Sequence, residues 1–167
     1  MFQLSTTRLR LIPLNPGQAQ LLITSREALE RQLGLNISSL ELSADSSFWG
    51  EFESAMQEFV LPMLVKYPQQ YEWFTHWLIV HDAANLTIGG IGIGGLPNQN
   101  GETMLGYFID RRFEGQGFAT EAVKELAGWL FQNESLKWLI ADIPVGHLAS
   151  QKVLQKNGFV FAGAVEE

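Results

Sequence analysis

The chain contains no cysteine, which excludes disulfide bonds, thiolate metal sites and a cysteine nucleophile. Its three histidines, His76, His81 and His147, lack the spacing of a zinc-binding helix motif, so we expect no metal. No stretch approaches the roughly 18 consecutive apolar residues of a membrane span, and the first residues lack the apolar run of a signal peptide. We therefore expect a soluble, cytoplasmic protein without a membrane partner.

Basic residues are also scarce, because 11 Lys and Arg stand against 18 Asp and Glu, for a formal net charge of -7. Sequence-independent nucleic-acid binding needs clustered Lys and Arg, so we expect no nucleic-acid partner. The acidic balance is compatible with a cationic amine as partner and equally with ordinary solubility. The length of 167 residues predicts one domain, 1–167, with a core of its own.

Hydrophobic periodicity predicts a mixture of helices and strands. Patterns of period two and β-rich composition predict strands at 4–14, 73–81, 86–96, 102–110, 137–143 and 159–165. Helical spacing predicts helices after Asn15-Pro16, from Asp45 until Pro62, from Ala119 to about Asn133, and over 147–157. This order predicts an α/β (α+β) fold, with a central sheet and helices on both of its faces.

The letters of Gly90-Ile-Gly-Ile-Gly-Gly95 satisfy the dinucleotide-binding pattern G-x-G-x-x-G. That pattern has meaning only where a helix begins inside it, and here Leu96-Pro97 and a polar turn follow. The alternation of glycine and isoleucine instead predicts a strand with one bare face, which a helix or a ligand can approach closely.

The run from Asp110 to Ala122 joins an apolar strand to an amphipathic helix through a loop of small residues. Gly115 and Gly117 permit backbone conformations that other residues avoid, and they bring amide N–H groups close to an anion. The helix that follows directs the positive end of its dipole to the same place. This run therefore predicts a phosphate-binding loop or, as the plain alternative, a tight turn.

From about Phe74 to Phe159, and above all in this run and in 143–159, the chain resembles the GNAT superfamily of acyl-CoA N-acyltransferases, most closely the branch that acetylates ribosomal-protein N-termini. Residues 7–11 are similar to that branch too. Two registers compete for the family signature Gln/Arg-x-x-Gly-x-Gly/Ala. Residues 112–117 match it by letter, and 114–119 match it by position between strand and helix. We choose the second register, which leaves Glu114 where Gln or Arg is usual.

The resemblance implies a GNAT-like, mostly antiparallel sheet and acetyl-CoA as cosubstrate. It implies that the CoA pyrophosphate binds the loop residues Gly115, Gln116, Gly117, Phe118, Ala119 and Thr120. It also implies that pantetheine pairs with the preceding strand, at Tyr107, Phe108 and Ile109. Further positive potential can come from Arg111, Arg112 and Lys124, each of which is equally an ordinary surface residue.

The second segment carries both matches to the family and departures from it. His147 stands where Asn is typical, and its imidazole can still bond pantetheine or phosphate. Leu154 stands where many members carry a Tyr that protonates the departing thiolate. Ser150 is a candidate donor in place of that Tyr, or a helix-capping residue.

Amine acetylation also needs a base and a polarised carbonyl. Asp142 occupies the position where some members place a catalytic Glu, and Glu102 lies on a strand face with Met104; each is a candidate base or a plain surface carboxylate. A backbone N–H near Ile109 can polarise the carbonyl. His76 and Tyr71 line the acceptor pocket or belong to the core.

These expectations favour transfer of an acetyl group from acetyl-CoA to a primary amine, on a protein N-terminus or a small molecule, by direct attack. The first alternative is a catalytically impaired CoA-binding module with a regulatory or interaction role, suggested by Leu154. The second is an unrelated phosphate-binding or structural protein. The usual C-terminal hairpin looks incomplete, so the uncovered sheet edge predicts a possible homodimer, which a strictly monomeric mass in light scattering would count against.

Overall fold

The computed structural model describes residues 2–43, 47–143 and 147–163. Six strands form one sheet: β1 (Leu4–Ser5), β2 (Leu9–Pro13), β3 (His76–His81), β4 (Leu86–Ile93), β5 (Glu102–Ile109) and β6 (Trp138–Ala141). Their order in the sheet follows the chain. Every neighbouring pair is antiparallel except β5 and β6, which run parallel.

Helices cover both faces of the sheet. They are α1 (Pro16–Thr24), α2 (Arg26–Gln32), α3 (Phe48–Ala55), α4 (Leu61–Lys66), α5 (Phe118–Leu130) and α6 (Leu148–Lys156). On one face Trp77 contacts Trp129 of α5, with ring centroids 5.4 Å apart. On the other, the neighbouring His76 contacts Phe52 of α3 at 5.0 Å. Because successive residues of a strand point to opposite faces, these contacts confirm the predicted mixed, mostly antiparallel sheet between helices.

Two predicted strands begin or continue differently from the prediction, whereas those at 86–96 and 137–143 are only shorter, at Leu86–Ile93 and Trp138–Ala141. The prediction of one strand over 4–14 is wrong, because the chain turns back where the Thr6 N–H donates to the Leu9 carbonyl, and Leu4 then pairs with Leu11. The strand predicted over 73–81 begins only at His76, because a 3-10 helix occupies Pro68–Trp73. In both places the apolar residues are buried as expected, so periodicity alone could not show the change of direction.

The helix predicted to end at Pro62 continues to Lys66. Between α3 and α4 lies a π-helical turn, Met56–Val60, in which the Leu61 N–H donates to the Met56 carbonyl five residues back. This wider turn accommodates a proline, which has no N–H and would crowd an α-helical carbonyl. Helix α2 was not predicted; Ser25 caps it by accepting from the Ala28 N–H.

The C-terminal elements agree with the prediction only in part. Helix α6 ends, as predicted, before Gly158, whose φ of 83° is left-handed. The strand predicted over 159–165 is wrong for its described part: residues 159–163 are in no strand, because Val160 and Phe161 are 87% and 83% exposed and pack on no sheet. Residues 164–167 lie outside the described residues.

Candidate active site

The loop between β5 and α5 presents a row of free backbone donors. Gly115 and Gly117 have φ values of 73° and 83°, in the left-handed region that favours glycine. The first bond inside α5 runs from the Glu121 N–H to the Gly117 carbonyl, at 3.0 Å. The amide N–H groups of 115–120 consequently have no acceptor among the described residues. Such donors at the start of a helix suit an anion.

Asp110 fixes the beginning of this loop. It is 1% exposed and accepts hydrogen bonds from the Arg112 backbone and side chain and from the Glu41 N–H. Burial alone would raise the pKa of Asp110, but these bonds outweigh it and lower the pKa. Arg112 also pairs with Glu41 at 3.0 Å, so carboxylates already offset much of its charge. Lys124 is exposed on α5.

Arg8 supports the other side of the loop, a role that the sequence did not indicate. Its Nη1 donates to the Gln116 carbonyl at 2.9 Å, its Nε donates to Glu121 at 2.8 Å, and its guanidinium lies 4.1 Å from the centre of the Phe118 ring. Burial would raise the pKa of Glu121, but hydrogen bonds from Thr6 and Arg8 outweigh it and lower the pKa. The signal was the resemblance at 7–11, which assigned Arg8 no function.

Among the described residues, strand β5 has an open edge just before the loop. Its pairing with β4 extends to Gly89 and Ile109, whereas its pairing with β6 stops at Leu105 and Ala141. Residues 106–109, which include the predicted pantetheine-binding Tyr107, Phe108 and Ile109, thus have no β6 partner. The pairing with β6 ends before Ile109, near which the sequence predicted a backbone N–H that polarises the carbonyl, so that N–H lies on the open edge.

A cavity of about 490 Å³ lies beside this open edge. Its described lining is mainly apolar and aromatic, with Asp142 as the one acidic side chain: Phe48, Phe52, Ala55, Met56, Phe59, Val60, Phe74, Thr75, His76, Gly92, Ile93, Gly94, Met104, Leu105, Gly106, Tyr107, Phe108 and Asp142. Gly92 and Gly106 pair across the sheet, and a Cβ on either would meet nothing within 4 Å. Bare backbone therefore forms part of the cavity wall.

A smaller cavity of about 160 Å³ adjoins the first, since Phe52, Met56, His76 and Phe108 line both. Its other lining residues are Leu22, Ile23, Arg26, Leu40, Trp49, Glu53, Leu78, Thr87 and Gly89. The His76 ring occupies the space beside Gly90, where a Cβ would lie 2.1 Å from it. Burial lowers the pKa of His76 to about 4, so this ring is neutral at pH 7.

The three predicted catalytic side chains occupy different surroundings. Asp142 follows β6 directly, is exposed and lines the larger cavity. Glu102 accepts from the side-chain amide of Asn98 at 3.1 Å, within the turn that precedes β5, and lines neither cavity. Ser150 lies in the first turn of α6, where its backbone N–H donates to Nδ1 of His147 at 3.2 Å. His147 is thus the cap of α6.

Tyr107 brings a further hydroxyl to this region. Its buried Oη has no hydrogen-bond partner among the described residues, and burial raises its pKa, which the neighbouring Ser150 side chain partly opposes without reaching hydrogen-bond geometry. The sequence assigned Tyr107 only a backbone contact with cofactor, since spacing cannot show which hydroxyls are left unpaired. Leu154 is buried and, like Tyr71, lines neither cavity.

No three His, Asp or Glu side chains in 2–43, 47–143 and 147–163 lie close enough together to hold a metal ion. Within the same part of the chain, no helix has the length and apolar character needed to cross a membrane.

The mixed sheet has one parallel strand pair that diverges, and a glycine loop with free amide donors joins strand to helix. This is the arrangement expected of an acyltransferase domain. Residues 8–160 match the family model described as "Acetyltransferase (GNAT) domain", and the chain belongs to that family. This confirms the family predicted from the sequence.

Similarity to solved structures extends over nearly the whole chain. RimL, a ribosomal L7/L12 alpha-N-protein acetyltransferase solved in complex with coenzyme A, superposes with a TM-score of 0.66 at 18% identity, covering 97% of this chain and 86% of that one. The enzyme from Salmonella typhimurium that modifies the N-terminal serine of L7/L12 gives 0.61 at 18% identity, covering 95% and 84%. At these identities the likeness shows the fold.

Curated relatives match over a shorter length. YjdG, an uncharacterized N-acetyltransferase of Bacillus subtilis (strain 168), is 31% identical over 87 residues, which is 52% of each chain. The ribosomal-protein-serine acetyltransferase of Escherichia coli (strain K12) is 26% identical over 80 residues, 48% of this chain and 45% of that protein. The chain thus matches about half the length of these relatives.

Proposed function

We propose that the chain transfers an acetyl group from acetyl-CoA to a primary amine, on a protein N-terminus or a small molecule, by direct attack of the amine. One observation carries this proposal: the open edge of β5 connects an aromatic cavity containing Asp142 with the row of free amide donors at 115–120. A single strand thereby joins an acceptor site to an anion site.

The loop fits the anionic part of acetyl-CoA. A Cβ at Gly115 would meet no atom within 4 Å, and one at Gly117 would meet only the Arg8 Nη2, at 3.3 Å. An anion can therefore approach the backbone amides directly, with the helix dipole and the Arg8 guanidinium adding positive potential. Bound acetyl-CoA supplies the acetyl group as a thioester, a carbonyl that an amine can attack.

The chain's own groups supply the remaining requirements. Asp142 takes a proton from the amine, directly or through a water molecule, because most primary amines are protonated near pH 7. A backbone N–H on the open edge of β5 polarises the carbonyl, a contact worth about 3 kcal/mol in comparable sites. Tyr107 and Ser150 are the hydroxyls available to protonate the leaving thiolate, since burial keeps the Tyr107 hydroxyl protonated.

Two relatives carry names that concern the acceptor. The Escherichia coli protein is named a ribosomal-protein-serine acetyltransferase, and RimL an alpha-N-protein acetyltransferase. These names favour a protein N-terminus as acceptor for this chain, and the lining of the larger cavity suits a small amine as well. A CoA-binding module without catalysis is the second candidate, because Leu154 offers no proton where many family members have Tyr.

Release of CoA thiol, measured with a panel of amines and N-terminal peptides, tests the proposal. We expect turnover with at least one acceptor, and Asp142→Asn should lower kcat/KM by about a hundredfold or more. Glu102→Gln is the matched control, because Glu102 is bonded within the turn beside Asn98; its kcat/KM should stay near wild type. CoA binding without thiol release on any acceptor would favour the non-catalytic module, and a larger loss in Glu102→Gln would refute the assignment of Asp142.

A further inference from the structure

We infer that the smaller cavity is a subsite for the side chain of the acceptor, and that it takes a neutral, mainly apolar group of benzene size bearing a hydroxyl. Thr87 and His76 provide its specificity. The inference rests on the proposed function, because it assigns the amine of the same acceptor to the larger cavity. It names a substrate class: aromatic amines of the tyramine or N-terminal tyrosine type.

The smaller cavity adjoins the larger one. The shared wall consists of Phe52, Met56, His76 and Phe108. Three of these side chains are rings in mutual contact, with Phe52 and His76 at 5.0 Å and His76 stacked on Phe108 at 5.7 Å between centroids. An acceptor with its amine near Asp142 therefore extends its side chain along aromatic surfaces.

The size and lining of the smaller cavity favour an aromatic group. Its volume is about 160 Å³, and most of the residues that line it have apolar side chains: Leu22, Ile23, Leu40, Trp49, Phe52, Met56, Leu78 and Phe108. An engineered apolar cavity of about 150 Å³ binds benzene in another protein, so a ring of this size fits. A glycine or alanine acceptor would leave the cavity unfilled and gain nothing from it.

The polar groups of the smaller cavity point to a hydroxyl. Thr87 is 1% exposed, and its Oγ1 has no hydrogen-bond partner among the described residues. A buried hydroxyl without a partner is unfavourable, so a ligand that bonds it gains affinity. Arg26 donates its Nη2 to the Ser38 carbonyl at 3.1 Å, and its buried Nε, which has no hydrogen-bond partner among the described residues, lies 3.9 Å from the buried Glu30 carboxylate that offsets its charge. The other charged lining residue, Glu53, is exposed and accepts from the side-chain amide of Gln57 at 3.4 Å. The neutral His76 can donate and accept, but it offers no charge to an ionic side chain.

Acceptor amides that differ only in side chain test the subsite. With saturating acetyl-CoA, we expect kcat/KM for tyrosinamide and phenylalaninamide to exceed that for glycinamide about tenfold or more, with tyrosinamide ahead of phenylalaninamide by a few-fold. Glutamic acid α-amide should fall below phenylalaninamide. Equal values for glycinamide and tyrosinamide would overturn the inference.

Calorimetric binding of the same amides to the CoA-loaded chain separates this inference from the proposed function. Preferential binding of tyrosinamide without turnover would support the subsite and count against acetyl transfer. Turnover of amides without preferential binding or preferential kcat/KM would support acetyl transfer and refute the subsite. Binding of none of the amides would also refute the subsite.

Two variants test whether the preference for tyrosinamide arises in the smaller cavity. Thr87→Val removes the hydroxyl at nearly constant volume, so the tyrosinamide-to-phenylalaninamide ratio of kcat/KM should fall to about one. Ile23→Trp fills the smaller cavity from α1 and should lower the tyrosinamide-to-glycinamide ratio about tenfold. Leu21→Trp is the matched control, because Leu21 is half-buried on the same helix and lines neither cavity. Equal ratios in the two tryptophan variants, both checked for folding by circular dichroism, would contradict the inference.

Discussion

At the scale of single residues, Arg8 connects the N-terminal strands with the loop at 115–120. It bonds both Gln116 and Glu121, and it lies over the Phe118 ring. We expect Arg8→Met to raise the Kd for acetyl-CoA about fivefold to tenfold, because the loop loses a support and the site loses a positive charge.

Arg10→Met is the matched control for this prediction. Arg10 lies two residues further along the chain and pairs with Asp82 at 2.8 Å and with Asn85 at 2.6 Å, neither of which belongs to the loop. Its Kd for acetyl-CoA should stay within about twofold of wild type. Calorimetric titration of the two variants checks this, and equal losses of affinity would refute the loop-supporting role of Arg8.

Burial of His76 predicts a pH dependence of stability. The pKa of His76 falls from 6.5 in the unfolded chain to about 4 in the folded chain. Between these two values the unfolded state binds more protons, so the free energy of unfolding drops as pH falls through this window. Protonation of His76 in the unfolded chain thus lowers the free energy of unfolding at pH 5 by roughly 2 kcal/mol relative to pH 8.

Urea unfolding of wild type and His76→Gln at pH 8 and pH 5 measures this contribution. Carboxylates titrate in both proteins, so the difference between the two pH responses isolates His76. We expect His76→Gln to lose less stability between pH 8 and pH 5 than wild type, by roughly 2 kcal/mol. The same loss in both proteins would show that His76 is not buried as a neutral ring.

The sequence identified residues whose role depends on their neighbours along the chain. It did not identify residues whose role depends on contacts with residues far away in the sequence. Gly115 and Gly117 stand in a recognisable strand–loop–helix pattern, and their left-handed conformations follow from that pattern. Arg8 is more than a hundred positions from Gln116. No spacing rule relates residues so far apart, and for the same reason the unpaired hydroxyl of Thr87 could not be predicted.

At the scale of secondary-structure elements, the loop before α5 has a conformational requirement that can be measured. Gly115 is exposed, and a Cβ there would meet nothing within 4 Å. A side chain at this position would therefore be strained only by the left-handed backbone, with its φ of 73°. We expect Gly115→Ala to lower the free energy of unfolding by about 1 to 2 kcal/mol.

Gly128→Ala, within the neighbouring helix, should change the free energy of unfolding in the opposite direction. Gly128 lies inside α5, is exposed and has equally open space around its Cβ position. The substitution should raise the free energy of unfolding by about 0.5 to 1 kcal/mol, because glycine is unfavourable in a helix interior. Chemical denaturation of both variants checks the pair; destabilisation by Gly128→Ala, or none by Gly115→Ala, would contradict the assigned backbone conformations.

Hydrophobic periodicity predicted which residues of an element are buried, but it did not predict where the element ends. The stripe of α5 was predictable because Ala122, Val123 and Leu126 are buried at helical spacing. Pro62 was expected to end a helix, yet the helix continues beyond Pro62 after a π-helical turn. The hydrogen-bond register of a turn depends on how the whole element packs, and a local pattern cannot show it.

At the scale of the whole molecule, sheet order and strand divergence place the cavities and the loop along one strand. The order of elements predicted the fold class, but the end of β6 at Ala141, which opens the edge of β5, depends on packing. Self-association through the sheet edge stays a prediction. Within the described residues, β6 is the last strand in the sheet order.

The central claim is that the loop at 115–120 binds acetyl-CoA. Calorimetric titration with acetyl-CoA tests it most directly, on the wild type, on Gly117→Trp and on Gly128→Trp as the matched variant with an open Cβ position on the same helix. We predict binding by wild type and by Gly128→Trp, and affinity lower by about tenfold or more in Gly117→Trp, whose side chain would occupy the anion site. No binding by the wild type, or equal binding by all three proteins, would contradict the account.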